Sequence, residues 1–291
     1  MSSPAADCRS LSDGEAHVWL ARLVEDEDRT AEFVSLLDRD ETARAARFSY
    51  ERLRMRFVQS HGIVRRILAD YAGVIDPADL VFTRGRHGKP RLVAPAGASR
   101  LHFSLSHSGD CCALAVRLGQ PLGIDVERLH DLPHAFNIAR RNFTAAELQM
   151  LAGLYGVARR DGFFALWTRK EAVTKAMGAS LATCLKRIEF ELDPVGQPRL
   201  AALDGERSRT RDWVVLGLDL GPGYVAALAT AHPLCDLKHF IWNEAAPVAA
   251  PHLPASCCTH LNETLSTIEG RRPITTLLVE TNRLTPYDAV R

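Results

Sequence analysis

The chain has 291 residues, 46% of them hydrophobic and 24% charged, which suits two average domains or one large one and has the balance of an ordinary globular protein. A formal net charge of +1 excludes the broad electrostatic footprint of a nucleic-acid-binding protein. The opening MSSPAADCRSLSDGEA has no basic or apolar signal region, and no run approaches the roughly 18 apolar residues of a membrane span, so a cytoplasmic protein with no membrane partner is expected. Seven cysteines include the adjacent pairs Cys111 with Cys112 and Cys257 with Cys258 but no CxxC, and are read as reduced thiols.

In chain order, residues 17–24 are expected as a short strand. Residues 30–37 read as a helix with Thr30 as N-cap and Phe33, Leu36 and Leu37 on its apolar side. Asp40 is expected to cap a second helix over ETARAARF. A longer helix follows over 52–71, with Phe57, Val64, Leu68 and Tyr71 as its stripe and Gly73 as its stop. This helical region carries Arg44, Arg47, Arg52, Arg54, Arg56, Arg65 and Arg66, either a solvated face or a cationic wall for phosphate, for which the planar guanidinium is well shaped. Residues 80–83 and 90–93 flank the turn RGRHGK, with Lys89 at its exit. LHFSLSHSGD alternates Leu101, Phe103 and Leu105 with His102, Ser104 and Ser106, and CCALAV is its return strand. TAAE at 144–147 is a capping box opening AELQML. A helix over 161–177 ends at Gly178, and 186–192, 213–220 and 224–230 read as strands, the last two joined by GPG. From about Pro233 the pattern dissolves. Residues 236–291 are expected as a loosely ordered tail in which His252, Cys257, Cys258 and His260 lack zinc-site spacing.

The hairpins FSLSHSGDCCALAV and WVVLGLDLGPGYVAALA each follow a helical stretch. This echo suggests an α+β fold of two similar halves, each a small antiparallel sheet packed with helices, with a boundary near 119–121. The active elements are then expected where the halves meet.

Two stretches carry the chemistry. In PLGIDVE, Leu122, Ile124 and Val126 alternate with Gly123, Asp125 and Glu127, so both carboxylates share one face of a half-buried strand. In FFALWTRKEAVTKAMG, Glu171 and Lys175 are four apart and share a helix face. Three carboxylates and a lysine can therefore converge. Such oxygen ligands suit Mg²⁺, which takes carboxylates together with substrate phosphates and water. Taken singly, Asp125 with Glu127 is equally a solvated strand face, and Glu171 with Lys175 a surface ion pair.

GIDVE, followed roughly forty residues later by F-x-x-L-W-x-x-K-E-A-x-x-K-A-x-G, resembles the paired motifs of the 4′-phosphopantetheinyl transferases. The single-chain, two-half Sfp-type branch, within the holo-acyl-carrier-protein synthase superfamily, is the most similar, because of the upstream GKP and SLSHS segments. The resemblance spans roughly residues 17–233. It implies a pseudo-twofold fold with the active site between the halves. Residues 1–120 would carry coenzyme A-binding elements, and 121–235 the metal site and catalytic helix. The implied reaction moves the 4′-phosphopantetheine arm of coenzyme A to a serine of an apo acyl or peptidyl carrier protein, by a monomeric enzyme releasing adenosine 3′,5′-bisphosphate. Asp125, Glu127 and Glu171 would be ligands of Mg²⁺, with Mn²⁺ a second candidate ion. Glu171 would also act as base, directly or through water, and Lys175 would stabilise the leaving phosphate. Ser106 and His107 would contact coenzyme A phosphates, His107 the 3′-phosphate. Lys89 would line the nucleotide cleft, Arg44 and Arg56 would hold phosphate, and Lys170, which matches the motif lysine, would be among the coenzyme A-binding residues. Trp167 reads as packing. Glu41 stands where the family carries a basic residue. The alternatives are a metal-dependent pyrophosphohydrolase of coenzyme A-like nucleotides and a non-catalytic module binding coenzyme A or a carrier protein.

Overall fold

The structure is a computed structural model describing residues 11–95, 98–194, 196–243 and 248–249. The first elements are β1 (Glu15–Arg22), α1 (Glu27–Val34), α2 (Arg39–Ala45), α3 (Glu51–Ala72), β2 (Val81–Arg84), β3 (Pro90–Ala94), β4 (Leu101–Ser108) and β5 (Cys111–Leu118). Then come β6 (Leu122–Arg128), α4 (Ala135–Asn142), α5 (Ala145–Ala152), α6 (Gly156–Met177), α7 (Leu181–Cys184), β7 (Ile188–Leu192) and β8 (Pro198–Leu203). The last are β9 (Val214–Leu218), β10 (Tyr224–Thr230), β11 (Asp236–Ile241) and β12 (Val248–Ala249).

The larger sheet has the order β12-β11-β1-β5-β4 and the smaller β6-β10-β9. The run β1-β5-β4 thus recurs as β6-β10-β9, antiparallel at every step. Each run has its own 22-residue helix, α3 or α6, ended by a left-handed glycine, Gly73 or Gly178. Each also has an accessory hairpin, β2–β3 or β7–β8. This is the α+β architecture of two similar halves that the sequence suggests.

Period-two alternation explains the layering. On β1, Trp19 and Ala21 join a core closed by Phe57, Ile63, Ile67 and Leu68 of α3. Ala16 and Val18 face the other way. With Ala113 and Ala115 of β5 they meet Leu122, Ile124 and Val126 of β6 and Ala226 and Leu228 of β10. On the outer face of the smaller sheet, Ala172, Val173 and Ala176 of α6 cover Ala227 and Ala229. The order of layers is therefore helix, sheet, sheet, helix. Fully burying a side chain such as Ile124 contributes about 1.5–3 kcal/mol.

Some local details differ from the sequence reading. Asp26, not Thr30, caps α1; the Thr30 hydroxyl instead donates to Asp26 O and accepts from Gln59 Nε2. Asp38, not Asp40, caps α2, because Glu41 three residues on completes a capping box with it. The capping box of Thr144 and Glu147 forms as expected. The tail does not begin at residue 236: Asp236–Ile241 is a strand parallel to β1, with Phe240 stacked on Trp19 and Lys238 paired with Glu15. Lys238 and His239 interrupt the apolar residues of this strand, which masks its alternation. His252, Cys257, Cys258 and His260 lie outside the described residues.

Candidate active site

Gly123 sets how closely α6 lies on β6. A Cβ there would stand 2.0 Å from Ala172 O and 2.5 Å from Ala176 N, so only glycine admits this approach. The next two residues on that face of β6 are Asp125 and Glu127, and α6 lowers Glu171 and Lys175 onto them. Lys175 Nζ is 2.7 Å from Asp125 Oδ1 and 3.9 Å from Glu171 Oε2. Asp125 is 2% exposed, and its Oδ2 is buried with no hydrogen-bond partner. Burial and the neighbouring Asp125 carboxylate push Glu171 up to about 8, with Lys175 opposing and Glu127 adding. Burial also raises Glu127, against a hydrogen bond from Ser108.

Three acids share one ammonium here, so negative charge is in excess. As the side chains stand, with Lys175 among them, no group of three His, Cys, Asp or Glu among the described residues closes into a ligand set. The orphaned Asp125 oxygen and the all-carboxylate donors nevertheless fit a hard divalent cation.

The other half contributes from β4. Ser106 Oγ donates to Asp125 Oδ1 at 2.8 Å and accepts from Lys175 Nζ at 3.0 Å. Ser108 Oγ donates to Glu127 Oε2 at 2.8 Å. His107 lies between them on the opposite face of the strand. Its proton affinity is lowered by desolvation, then by Lys175 and Arg56. His61, held to about 3 by burial, also feels Arg44, His107 and Arg84. Arg44, Arg56, Arg84 and Lys175 therefore form one cationic rim beside the acids, with His61 and His107 as neutral imidazoles within it.

The seven arginines divide by partner. Arg65 is buried and bonds Asp38, Glu41 and the carbonyls of Pro77 and Leu80. This accounts for Glu41, whose carboxylate serves Arg65 and a capping box rather than a ligand. Arg52 pairs with Glu25, Arg54 with Glu51 and Arg66 with Glu32. Arg44, Arg47 and Arg56 have no ion pair among the described residues, and Arg44 and Arg47 with Phe48 line a concavity of about 160 Å³.

Two lysines are engaged elsewhere. Lys89 Nζ donates to Leu122 O and Lys175 O, both at 2.7 Å, so it ties the β2–β3 hairpin to β6 and to the end of α6. Burial, then Arg91 and Lys175, lower it to about 8. Lys170 is fully buried and bonds Glu147 Oε1, Glu147 Oε2 and Ile188 O. Its place in the motif next to Glu171 does not bring it to the site, because adjacent helical residues point about 100° apart. Trp167 stacks on Phe163, as packing requires. Arg84, His61 and Ser108 were not singled out from sequence; only Ser108 had a signal, the alternate serines of FSLSHS.

Comparison with known proteins defines the class. Residues 121–229 match the family described as 4′-phosphopantetheinyl transferase superfamily, and residues 25–118 the one described as 4′-phosphopantetheinyl transferase, N-terminal. The 4′-phosphopantetheinyl transferase HetI of Nostoc sp. is 35% identical over 221 residues, 76% of this chain and 89% of that protein. The 4′-phosphopantetheinyl transferase psf-1 of Bacillus pumilus is 31% identical over 195 residues, 67% of this chain and 78% of that protein. A solved holo-(acyl-carrier-protein) synthase from Bacillus anthracis, in complex with CoA (3′,5′-ADP), aligns at 21% identity and a TM-score of 0.31, covering 38% of this chain and 93% of that one. Both family descriptions and both of these relatives' names are those of group-transfer enzymes. The chain belongs to the 4′-phosphopantetheinyl transferase family, in its two-half, Sfp-type form. No helix among the described residues is long and apolar enough to cross a membrane.

Proposed function

We propose that the protein moves the 4′-phosphopantetheine arm of coenzyme A to a serine hydroxyl of an apo acyl or peptidyl carrier protein, releasing adenosine 3′,5′-bisphosphate. The observation carrying this reading is the meeting of Asp125, Glu127, Glu171 and Lys175 at the seam of the halves, beside a cationic rim.

Asp125, Glu127 and Glu171 would hold a Mg²⁺ ion, or Mn²⁺. When bound, the ion neutralises charge on the diphosphate oxygens. The residues do the rest. Arg44, Arg56 and His107 receive the nucleotide phosphates, and the Ser106 hydroxyl orients Asp125 and Lys175. A serine O–P bond forms as the P–O bond to the nucleotide breaks, and Lys175 balances the charge arriving on the leaving phosphate. Glu171 would take the serine proton, directly or through water. Labour follows the halves: residues up to about 120 hold the nucleotide, and 121–235 carry the acids and Lys175. Both halves lie in one chain, so a monomer suffices. The rim also suits acidic carrier domains and makes association sensitive to salt.

The test is intact mass spectrometry of an apo carrier domain incubated with coenzyme A and Mg²⁺. One phosphopantetheine adduct is expected, lost with EDTA and with Asp125→Ala. Consumption of coenzyme A without an adduct would replace transfer with pyrophosphate hydrolysis.

A further inference from the structure

Strands β4 and β6 are edges of different sheets and share no backbone ladder. Side-chain hydroxyls join them instead. Ser104, Ser106 and Ser108 alternate along β4, so all three point at β6. Ser104 Oγ accepts from Ile124 N at 3.1 Å. Ser106 Oγ donates to Asp125 Oδ1 at 2.8 Å. Ser108 Oγ accepts from Arg128 N at 3.1 Å and donates to Glu127 Oε2 at 2.8 Å. Sheet register between the halves is thus set by a hydroxyl every second residue.

The bonds have a direction. A serine hydroxyl has one proton to give. With Arg128 N–H filling an acceptor position, the Ser108 proton is left for Glu127 Oε2. One backbone position of β6 is thereby coupled to the aim of one carboxylate. Glutamate has three side-chain torsions, and ordering them opposes binding when nothing has fixed them beforehand. The pattern is the same on both strand acids: a β4 serine ties one oxygen of each. Asp125 keeps Oδ2 without a hydrogen-bond partner among the described residues, and the Ser108 bond to Glu127 takes Oε2.

We infer that Ser108 is a positioning residue that holds Glu127 for a divalent cation, and that the alternate serines of β4 set the geometry of the acid pair across the seam. The inference rests on the reading of Asp125, Glu127 and Glu171 as cation ligands. Ser104 supplies an internal control, because its only side-chain bond among the described residues is from a backbone N–H, that of Ile124.

The experiment is calorimetric titration of the full chain with Mg²⁺ alone, with melting temperature and transfer kinetics recorded on the same samples. Ser108→Ala is expected to weaken Mg²⁺ binding 10–100-fold, as loss of a partner that orients a ligand does, and to lower kcat with the KM for coenzyme A changed less than about twofold. Ser108→Thr keeps the hydroxyl and is expected to restore both. Ser104→Ala is expected to lower the melting temperature and leave Mg²⁺ affinity alone. Wild-type affinity in Ser108→Ala, with binding abolished in Asp125→Ala, would overturn the role of Ser108 only. Wild-type affinity in Asp125→Ala would overturn the cation reading itself. If Ser108→Ala does not fold, Ser108→Cys carries the same comparison: weakened binding supports the role and unchanged binding refutes it.

Discussion

Lys170 offers the sharpest separation of motif from mechanism, and Lys170→Met is the perturbation that tests it. The variant keeps the apolar stem and removes only the ammonium. Both Lys170 and Glu147 have side chains that are 0% exposed. Removing the cation leaves Glu147 with only backbone donors, Phe190 N at 2.9 Å and Thr144 N at 2.8 Å. Breaking one side of a buried pair destabilises by about 3–5 kcal/mol, a large share of the 5–15 kcal/mol that holds an ordinary domain. Glu147→Gln still accepts from Phe190 N, so the double variant Lys170→Met, Glu147→Gln should recover at least half of the loss, a coupling that a double-mutant cycle measures. Urea denaturation gives the energies. Transfer assays at low temperature, on protein that is still folded, should give a KM for coenzyme A within about twofold of wild type. A Lys170→Met protein of normal stability that no longer binds coenzyme A would refute the buried-pair argument.

Other outcomes follow from the same geometry. Glu171 binds its proton more tightly in the folded, cation-free protein, near 8, than its ordinary value of 4.5. The folded state therefore holds the extra proton between those values, and stability falls as pH rises from 4.5 to 8, by an amount on the order of a few kcal/mol. Thermal melts in EDTA should show that slope in wild type and lose it in Glu171→Gln; equal slopes would contradict it. Gly123→Ala must push α6 off β6, so a loss of about 3 kcal/mol and a roughly hundredfold drop in kcat are expected, read by denaturation and steady-state kinetics. Arg44→Ala should raise the KM for coenzyme A about tenfold at unchanged stability, whereas Arg65→Ala should destabilise the whole fold; circular dichroism beside kinetics separates the two.

What was legible in the chain was local periodicity. Asp125 with Glu127, and Glu171 with Lys175, show their shared faces within four residues. Their convergence needed the bare backbone at Gly123, and the sequence did not say which helix would use it. The arginines were opaque for the same reason. Arg65 and Arg66 are neighbours, yet one is buried against Asp38 and Glu41 and the other sits on Glu32. Those partners come from other elements, so a charge run cannot be sorted by inspection. Lys170 matches the motif lysine that precedes Glu171, and the helical step sends it to Glu147 instead. The alternate serines were visible, but the strand they serve lies across an interface between sheets.

Strand β11 reaches the larger sheet only after the chain has finished the smaller one. Its parallel pairing runs from Glu15 with Asp236 to Leu20 with Ile241. The clasp therefore closes one loop around both halves. Doubling a loop adds only about 0.6 kcal/mol to its closure, so thermodynamics tolerates this arrangement. Kinetics does not treat it so lightly, because contacts this distant along the chain form late. The halves are thereby interlaced rather than merely adjacent, and the molecule should melt as one cooperative unit, with the return of β11 as the last event in refolding.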